Sequence, residues 1–497
     1  MKIAILIIYT AAIGFIFLYS MVQIHLSILY LRERNKRKRL ALQNPNGKEN
    51  VLPEDLPFVT VQLPVYNELY VVERLIKSIA AFNYPKDKFE IQVLDDSNDE
   101  TVQIIDKVVE EVKATGIDIS AVRRTNRVGF KAGALEYGLE KAKGNLIAIF
   151  DADFVPHPEF LLDTVSHFDN DNVGVVQTRW KHLNEEYSIL TKLQAFGLDA
   201  HFSVEQRGRN SKNFFINFNG TAGVWRKECI KDAGGWQHDT LTEDLDLSYR
   251  AQLKGWKFKY LEEIGTPAEL PAQINALKSQ QYRWTKGAAE NARKNLGNVM
   301  KADLPFPKKL HAFFHLANSI IFICIVVVSV LSIPLLVLKS NSPALDRYFL
   351  FASFTVLSFV SLGVFYFVSY ISKSDNPLID FFKFFLKFPL FLSMSMGISL
   401  HNAVAVVQGL RGKQSPFIRT PKFNITGLTG NFKHSKYQMS KLTWLSMFEG
   451  LLAVYFASGI YLAVRYDDFG LFPFHVMLTL GFGMVFFYSV KHSVLAK

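Results

Sequence analysis

Four clusters of side chains stand out for the chemistry that their types and spacing permit. Asp151-Ala152-Asp153 follows the apolar run Leu146–Phe150 and offers two carboxylates one residue apart. Such a pair can hold a hard divalent cation, which commonly completes its shell with substrate phosphates. Asp95-Asp96-Ser97 follows a second run, Phe89–Leu94, and carboxylates there can accept hydrogen bonds from a nucleobase or ribose. Thr242-Glu243-Asp244 supplies a carboxylate able to take the proton of a hydroxyl nucleophile. Gln280-Gln281-Tyr282-Arg283-Trp284 adds a guanidinium that can grip a diphosphate bidentately and an indole that suits the apolar side of a sugar ring. Each has an ordinary structural alternative: a helix cap or turn for the aspartates, a capping box for Thr242–Asp244, a membrane-interface anchor for Arg283 and Trp284. All four in one order on one stretch make a stronger signal than any one alone.

The elements that must carry them read as alternating strands and helices. Phe58–Leu63, Phe89–Leu94, Leu146–Phe150 and Val173–Gln177 are short apolar runs of the kind that form buried strands. Thr101–Lys113 and Ala132–Lys143 have helical spacing. That alternation predicts an α/β domain over about 52–300, with a mostly parallel sheet covered by helices on both faces. Ligands of such sheets sit at the carboxyl ends of strands, where the first two acidic clusters fall.

Of the 497 residues, 49% are hydrophobic and 43 are Phe, which excludes a disordered chain. Ile3 to Leu31 carries no charge and is long enough to cross a bilayer. The basic run Arg32–Arg39 behind it predicts a cytoplasmic linker, 32–51, with the N-terminus outside. The net charge of +11 lies largely beside apolar runs, so it points to anionic membrane lipid and away from nucleic acid. Two cysteines, Cys229 and Cys324, exclude a disulfide framework and fit a reducing compartment.

Further spans are expected at 310–338, 348–372, 442–464 and 469–490, with Glu449 the one charge inside them. Residues 376–410 hold Pro389, His401, Asn402 and Gln408 and read as a re-entrant, interfacial or hairpin element. A single crossing there would place 411–441, with seven Lys or Arg and no acidic residue, outside. The expectation is a multi-pass integral membrane protein with a cytosolic domain and its C-terminus inside.

The four clusters together resemble the signature of the membrane-embedded family-2 glycosyltransferases, the group of cellulose, mannan, chitin and hyaluronan synthases: D, D-x-D, T-E-D and Q-x-x-R-W. Longer stretches look most like the plant cellulose-synthase-like mannan and glucan synthases. They are VQLPVYNE (Val61–Glu68), VLDDS (Val93–Ser97), RRTNRVGFKAGAL (Arg123–Leu135), IAIFDADF (Ile147–Phe154), FNGTAGVWR (Phe218–Arg226) and LTEDLDLSYRAQLKGWKF (Leu241–Phe258). The resemblance runs over most of 58–290.

It implies a GT-A (Rossmann-like) domain inserted between transmembrane helices of a plasma or bacterial inner membrane, and leaves protein partners open. The implied reaction is an inverting, processive transfer of hexose from UDP-glucose or GDP-mannose into a β-1,4-linked glucan or mannan, extruded as it grows. Under the resemblance Asp151 and Asp153 hold Mg²⁺ or Mn²⁺. Asp95, Asp96, Glu68, Lys131, Gln280 and Arg283 bind the nucleotide-sugar donor. Asp244, beside Glu243, is the base, and Trp284, Gly220 and Thr221 meet the polysaccharide acceptor. Phe417-Ile418-Arg419-Thr420-Pro421-Lys422 is similar to the family's gating loop F-x-V-T-x-K, with Arg419 in the Val position. Phe417, Thr420 and Lys422 would then close over the donor from the segment 411–441. The rivals are a non-processive transferase to a lipid acceptor of ceramide or polyprenyl phosphate type, and a transporter, channel or receptor that only binds nucleotide. Asp244 would have no task in the last.

Overall fold

Runs of Val, Ile and Leu become strands covered on both faces, and they build one seven-stranded sheet. The computed structural model describes residues 2–43, 55–342, 345–430, 432, 435–439 and 442–495. The strands are β1 (Val59–Val65), β2 (Phe89–Asp95), β3 (Asp118–Val122), β4 (Leu146–Ile149), β5 (Val173–His182), β6 (Gly223–Arg226) and β7 (Lys257–Ala268). Their order is β3-β2-β1-β4-β6-β5-β7. β6 pairs antiparallel with β4 and β5, and every other pairing is parallel. Six strands therefore open their carboxyl ends on one edge.

In and around this domain lie α1 (Lys2–Gln43), α2 (Val72–Ala80), α3 (Thr101–Lys113), α4 (Phe130–Lys141), α5 (Ile189–Ala200), α6 (Glu243–Leu253) and α7 (Ile274–Lys301). On one face of the sheet α2 and α3 bury Leu75, Ile76, Ile79, Ile105 and Val108 against Val61, Leu63 and Val93. On the other, Leu135 and Leu139 of α4 and Leu247 of α6 pack with Trp225 and Ile147. Side chains of this size contribute roughly 1.5–3 kcal/mol each when fully withdrawn from water. The sheet is thus fixed from both sides and holds its strand ends still.

The expected strands all form, with β1 and β5 running past their apolar stretches. β3, β6 and β7 arise where no apolar run announced them. Thr101–Lys113 is helical as expected. α4 begins two residues before Ala132, because Gly129 at φ +74° turns the chain into it, a conformation that glycine adopts without a Cβ penalty.

Beyond the domain come α8 (Phe306–Leu316), α9 (Ile320–Ser340), α10 (Asp346–Ile371), α11 (Pro377–Gly397), α12 (Ser399–Leu410), α13 (Trp444–Arg465) and α14 (Phe472–Leu495). Among the described residues five helices are long and apolar enough to cross a membrane: α1, α9, α10, α13 and α14. α11 and α12 meet at Ile398 with a 48° bend and would count as a sixth if they formed one span. Two expectations change. Residues 32–43 of the expected linker are helical: Arg, Lys, Leu and Glu are good helix formers, so α1 continues through the basic run to Gln43. There Arg37 pairs with Glu262 of β7 at 3.1 Å. Residues 44–51 of that linker lie outside the described residues. The span expected at 310–338 is two helices, because the chain breaks at Ala317-Asn318-Ser319 between α8 and α9.

Candidate active site

The strand ends converge on one cleft of ≈ 180 Å³. Its wall takes Tyr66 and Glu68 after β1, Asp96 after β2, Asp151 and Asp153 after β4, and Trp180 and His182 from β5. Lys131 of α4, Asn219 and Gly220 before β6, and Glu243 and Asp244 of α6 continue it. Gln280, Arg283 and Trp284 come from α7, and Phe417, Arg419, Thr420 and Lys422 from the segment after α12. Residues spread over more than 350 positions thus meet at one place.

Two expected residues do not line it. The Asp95 carboxylate is wholly covered and accepts Arg123 Nε (2.8 Å) and the Ser97 N–H (2.9 Å). Successive strand residues point to opposite sides, so of this acidic pair only Asp96 reaches the cleft. Thr221 is buried behind the wall, where its Oγ1 accepts the Asp151 N–H at 2.8 Å. Asp96 itself is held bidentately by Arg124, at 2.8 and 2.6 Å, and Arg124 also donates to the carbonyls of Val128 and Phe130. Arg124 had no assigned task in the sequence; its work is to fix the loop that delivers Lys131.

Lys131 Nζ donates to Asp151 Oδ1 at 2.5 Å and to the Gly220 carbonyl at 2.9 Å. Burial works against its charge, but Asp151, Glu243 and Asp244 outweigh that and hold its pKa above the usual lysine value. Gly220 sits at φ +78°, and a Cβ there would stand 3.1 Å from Asp244 Oδ2. Glycine is what lets the start of α6 come so close. Asp244 Oδ1 accepts the Leu245 N–H at 2.9 Å. Burial, then the neighbouring Glu243 carboxylate, pushes Asp244 up to about 7, and burial raises Glu243 as well.

α7 carries the Gln280–Trp284 motif and also steadies this acidic turn. Asn291 Nδ2 donates to Thr242 Oγ1 at 3.0 Å, and Glu290 accepts the Leu241 N–H at 2.8 Å. Gly287 lies so close to Thr242 that a Cβ would fall 2.5 Å from its Oγ1.

The segment after α12 crosses the cleft as a strap. Phe417 stacks on Phe130 with ring centroids 5.8 Å apart, and Arg283 lies over its ring at 4.7 Å. Arg419 Nε pairs with Glu68 Oε1 at 2.9 Å, and Lys422 Nζ with Asp153 Oδ2 at 2.6 Å. Glu269 accepts the Phe423 and Asn424 N–H groups, both at 2.9 Å, and so pins the strap beyond Lys422. Arg419, noticed in the sequence only as a departure, proves to be an ion-pair partner inside the cleft. Residues 431, 433–434 and 440–441 of the segment lie outside the described residues.

At the carboxyl ends of the parallel strands the cleft thus brings seven carboxylates together with Arg127, Lys131, Arg283, Arg419 and Lys422. Residues 57–287 match the family model described as Glycosyltransferase like family 2. They form a family-2 glycosyltransferase domain. The chain is 37% identical over 343 residues to glucomannan 4-beta-mannosyltransferase 1 of Cyamopsis tetragonoloba, a match covering 66% of this chain and 64% of that protein. It is 44% identical over 269 residues to probable glucomannan 4-beta-mannosyltransferase 7 of Oryza sativa subsp. japonica, covering 52% and 46%. The chain thus spans about half to two thirds of the curated relatives it matches. A mannosyltransferase from Pyrobaculum calidifontis, solved in complex with GDP-Man and Mn²⁺, shares the fold at TM-score 0.52 and 16% identity, over 82% of this chain and 100% of that one. The glycosyltransferase domain is therefore GT-A-like, flanked by apolar helices.

A divalent ion fits the residues present. Among the described residues no three or more His, Cys, Asp or Glu side chains group at metal-ligating spacing. Asp151 and Asp153 would be the donors, a set that suits Mg²⁺ or Mn²⁺ completed by substrate phosphates. Glu68 Oε2, buried nearby, has no partner among the described residues. Burial first, and then Asp153 and Asp151, push Glu68 up to about 8 against the opposing pull of Arg419. That crowding of carboxylates is what an added cation would relieve.

Proposed function

We propose that the protein is an inverting, processive β-glycosyltransferase. It would polymerise hexose from GDP-mannose or UDP-glucose into a β-1,4-linked mannan- or glucan-type polysaccharide and pass it across the membrane. The observation that carries this reading is Asp244, set against Gly220 in one cleft with Asp151, Lys131, Arg283 and Trp284. With Oδ1 fixed by the Leu245 N–H, Oδ2 takes the proton of the acceptor hydroxyl as that oxygen attacks the anomeric carbon. The bond to the diphosphate oxygen breaks on the opposite face, so the configuration inverts in one step. A carboxylate whose pKa lies near the working pH is well matched to that proton transfer. Lys131 and Arg283 balance the charge gained by the departing nucleoside diphosphate. Asp151 and Asp153 would hold Mg²⁺ or Mn²⁺, which when bound neutralises donor phosphates.

Asp96, Glu68 and Gln280 border the donor, Phe417, Thr420 and Lys422 cover it, and Gly220 and Trp284 meet the acceptor. The names of the relatives favour mannose as the sugar.

The contacts also support the orientation. Residues 417–424 touch the cleft, which supports a position of the strap on the side of the glycosyltransferase domain. Lys373, just after α10, pairs with Asp199 of that domain, and Gly409 of α12 lies against Lys286 of α7. Between them Phe388 and Phe391 of α11 pack with Leu193 and Phe196 of α5. These contacts support both ends of 376–410 lying on the side of the glycosyltransferase domain, the side to which charge assigns the strap.

The test is Asp244→Asn. It should lower transfer by ~10²–10⁴-fold, the usual contribution of a general base, while donor binding measured by calorimetry stays within about twofold. Full activity in that variant would remove the base.

A further inference from the structure

We infer that Lys286 and Glu290 are positioning residues that couple the strap to the acidic turn of Asp244, so that the base is held in place while the strap lies over the cleft. The inference rests on the glycosyltransferase reading of the cleft. Both residues belong to α7, one turn apart, beyond the Gln280–Trp284 motif. The chain leaves α12, turns at Gly412 with φ +71°, and enters the strap beside them. Lys286 Nζ meets it there, donating to the Lys413 carbonyl and, at 2.5 Å, to Ser415 Oγ. The same ammonium pairs with Glu290 Oε1 at 3.5 Å. Glu290 Oε2 accepts the Leu241 N–H at 2.8 Å, and Leu241 leads directly into Thr242-Glu243-Asp244. One ammonium and one carboxylate thus join the start of the strap to the start of the turn.

The surroundings favour a link over a simple support. The Lys286 side chain is wholly covered, and its three donors are matched by these three partners. A covered ion pair is a poor source of stability, since apolar side chains of similar volume often do as well; what it can supply is a choice of which groups meet. Leu241 and the strap's Ser415, Pro416 and Ile418 border a second cavity of ≈ 180 Å³, where packing is open and a shift is passed on by bonds. Further along the strap, Phe417 and Lys422 stand in the cleft wall, with Lys422 on Asp153, so a donor entering the cleft meets the strap. At the far end of the link, Asp244 sits against Gly220. Donor occupancy and base placement therefore lie on one chain of contacts.

The experiment uses the full chain in nanodiscs with GDP or UDP, each with Mn²⁺, and reads hydrogen exchange of peptides covering 413–424 and 240–246. In the unaltered protein nucleotide should slow exchange in both segments. In Lys286→Met the strap, still held by Glu269 and Lys422, should be protected and the turn should not. The same split is expected in Glu290→Gln, which leaves one acceptor oxygen for two partners. In steady-state transfer each variant should lower kcat about tenfold while the donor KM stays within about twofold. Ser415→Ala combined with Glu290→Gln should do no more than the worse of the two alone, because both cut one link. If Lys286→Met does not fold, Glu290→Gln and Ser415→Ala put the same question at the two ends. Protection of the turn that survives these substitutions, no protection of it in the unaltered protein, or kcat losses that multiply would each overturn the coupling. Linked protection in a protein that transfers no sugar would keep the coupling and remove the glycosyltransferase reading. Transfer with the two segments responding independently would do the reverse.

Discussion

Lys278 of α7 pairs with Glu449 of α13, and Lys422 of the strap pairs with Asp153 after β4. Both are close, well-covered ammonium–carboxylate contacts, yet their surroundings differ. Lys278 also donates to Ser489 Oγ at 2.9 Å, Glu449 is fully buried, and neither residue lines the cleft. The pair joins the helix that carries Gln280, Arg283 and Trp284 to the membrane helices. His492 of α14, accepting the Ile274 N–H at 3.1 Å, and His401 of α12, bonded to the Lys278 carbonyl at 3.1 Å, add to the joint. Lys422 and Asp153, in contrast, both line the cleft, and Asp153 is half of the D-x-D motif. A bound cation would take the same carboxylate. The first pair fixes α7 to α13; the second lies in the wall of the cleft.

Breaking the fixed pair should have the larger effect. Lys278→Met leaves Glu449 buried and uncompensated and should cost about 3–5 kcal/mol, seen as a marked fall in Tm. The double variant with Glu449→Leu should recover most of it, because two apolar groups replace two charges. If the single substitution costs under about 1 kcal/mol, the joint is not an anchor. A pH profile sharpens the comparison at the cleft. Asp244 must be unprotonated to act as base, and burial and Glu243 set its pKa at about 7. kcat/KM should therefore be flat above that pH and fall about tenfold per unit below it. A profile flat down to pH 5 would contradict this.

The smallest effect is expected at the cleft pair. Lys422→Met should lower stability by less than Lys278→Met does, because Asp153 opens on the cleft, where water or a cation can replace the ammonium. Mn²⁺ alone should bind this variant about tenfold more tightly, roughly 1.4 kcal/mol, because the competing ammonium is gone. Equal Mn²⁺ affinity would mean that Lys422 and the ion do not share Asp153.

Much of this arrangement was legible beforehand, for physical reasons. β1, β2 and β4 are buried on both faces, so their apolar runs announced them. β7 alternates charged and apolar residues along a half-covered edge, and β6 is only Gly223–Arg226, so neither gave a run to notice. Asp151, Asp153 and Asp244, which line the cleft, stood out because their type suits the expected chemistry. Asp95 was read as a ligand residue because residue types do not show which way a strand end points. Trp180 and Arg419 were missed as cleft residues because their meaning depends on partners distant in sequence. Trp180 is placed by Phe154 and Phe202, and Arg419 by Glu68.

The most direct test of the account is incorporation of labelled sugar by the purified protein, with GDP-mannose and UDP-glucose offered separately alongside Mg²⁺ or Mn²⁺. The account predicts a high-molecular-weight product, lost on adding a chelator and degraded by a β-1,4-mannanase or, for glucose, a β-1,4-glucanase. Label confined to solvent-extractable lipid, or no transfer from either donor, would contradict it.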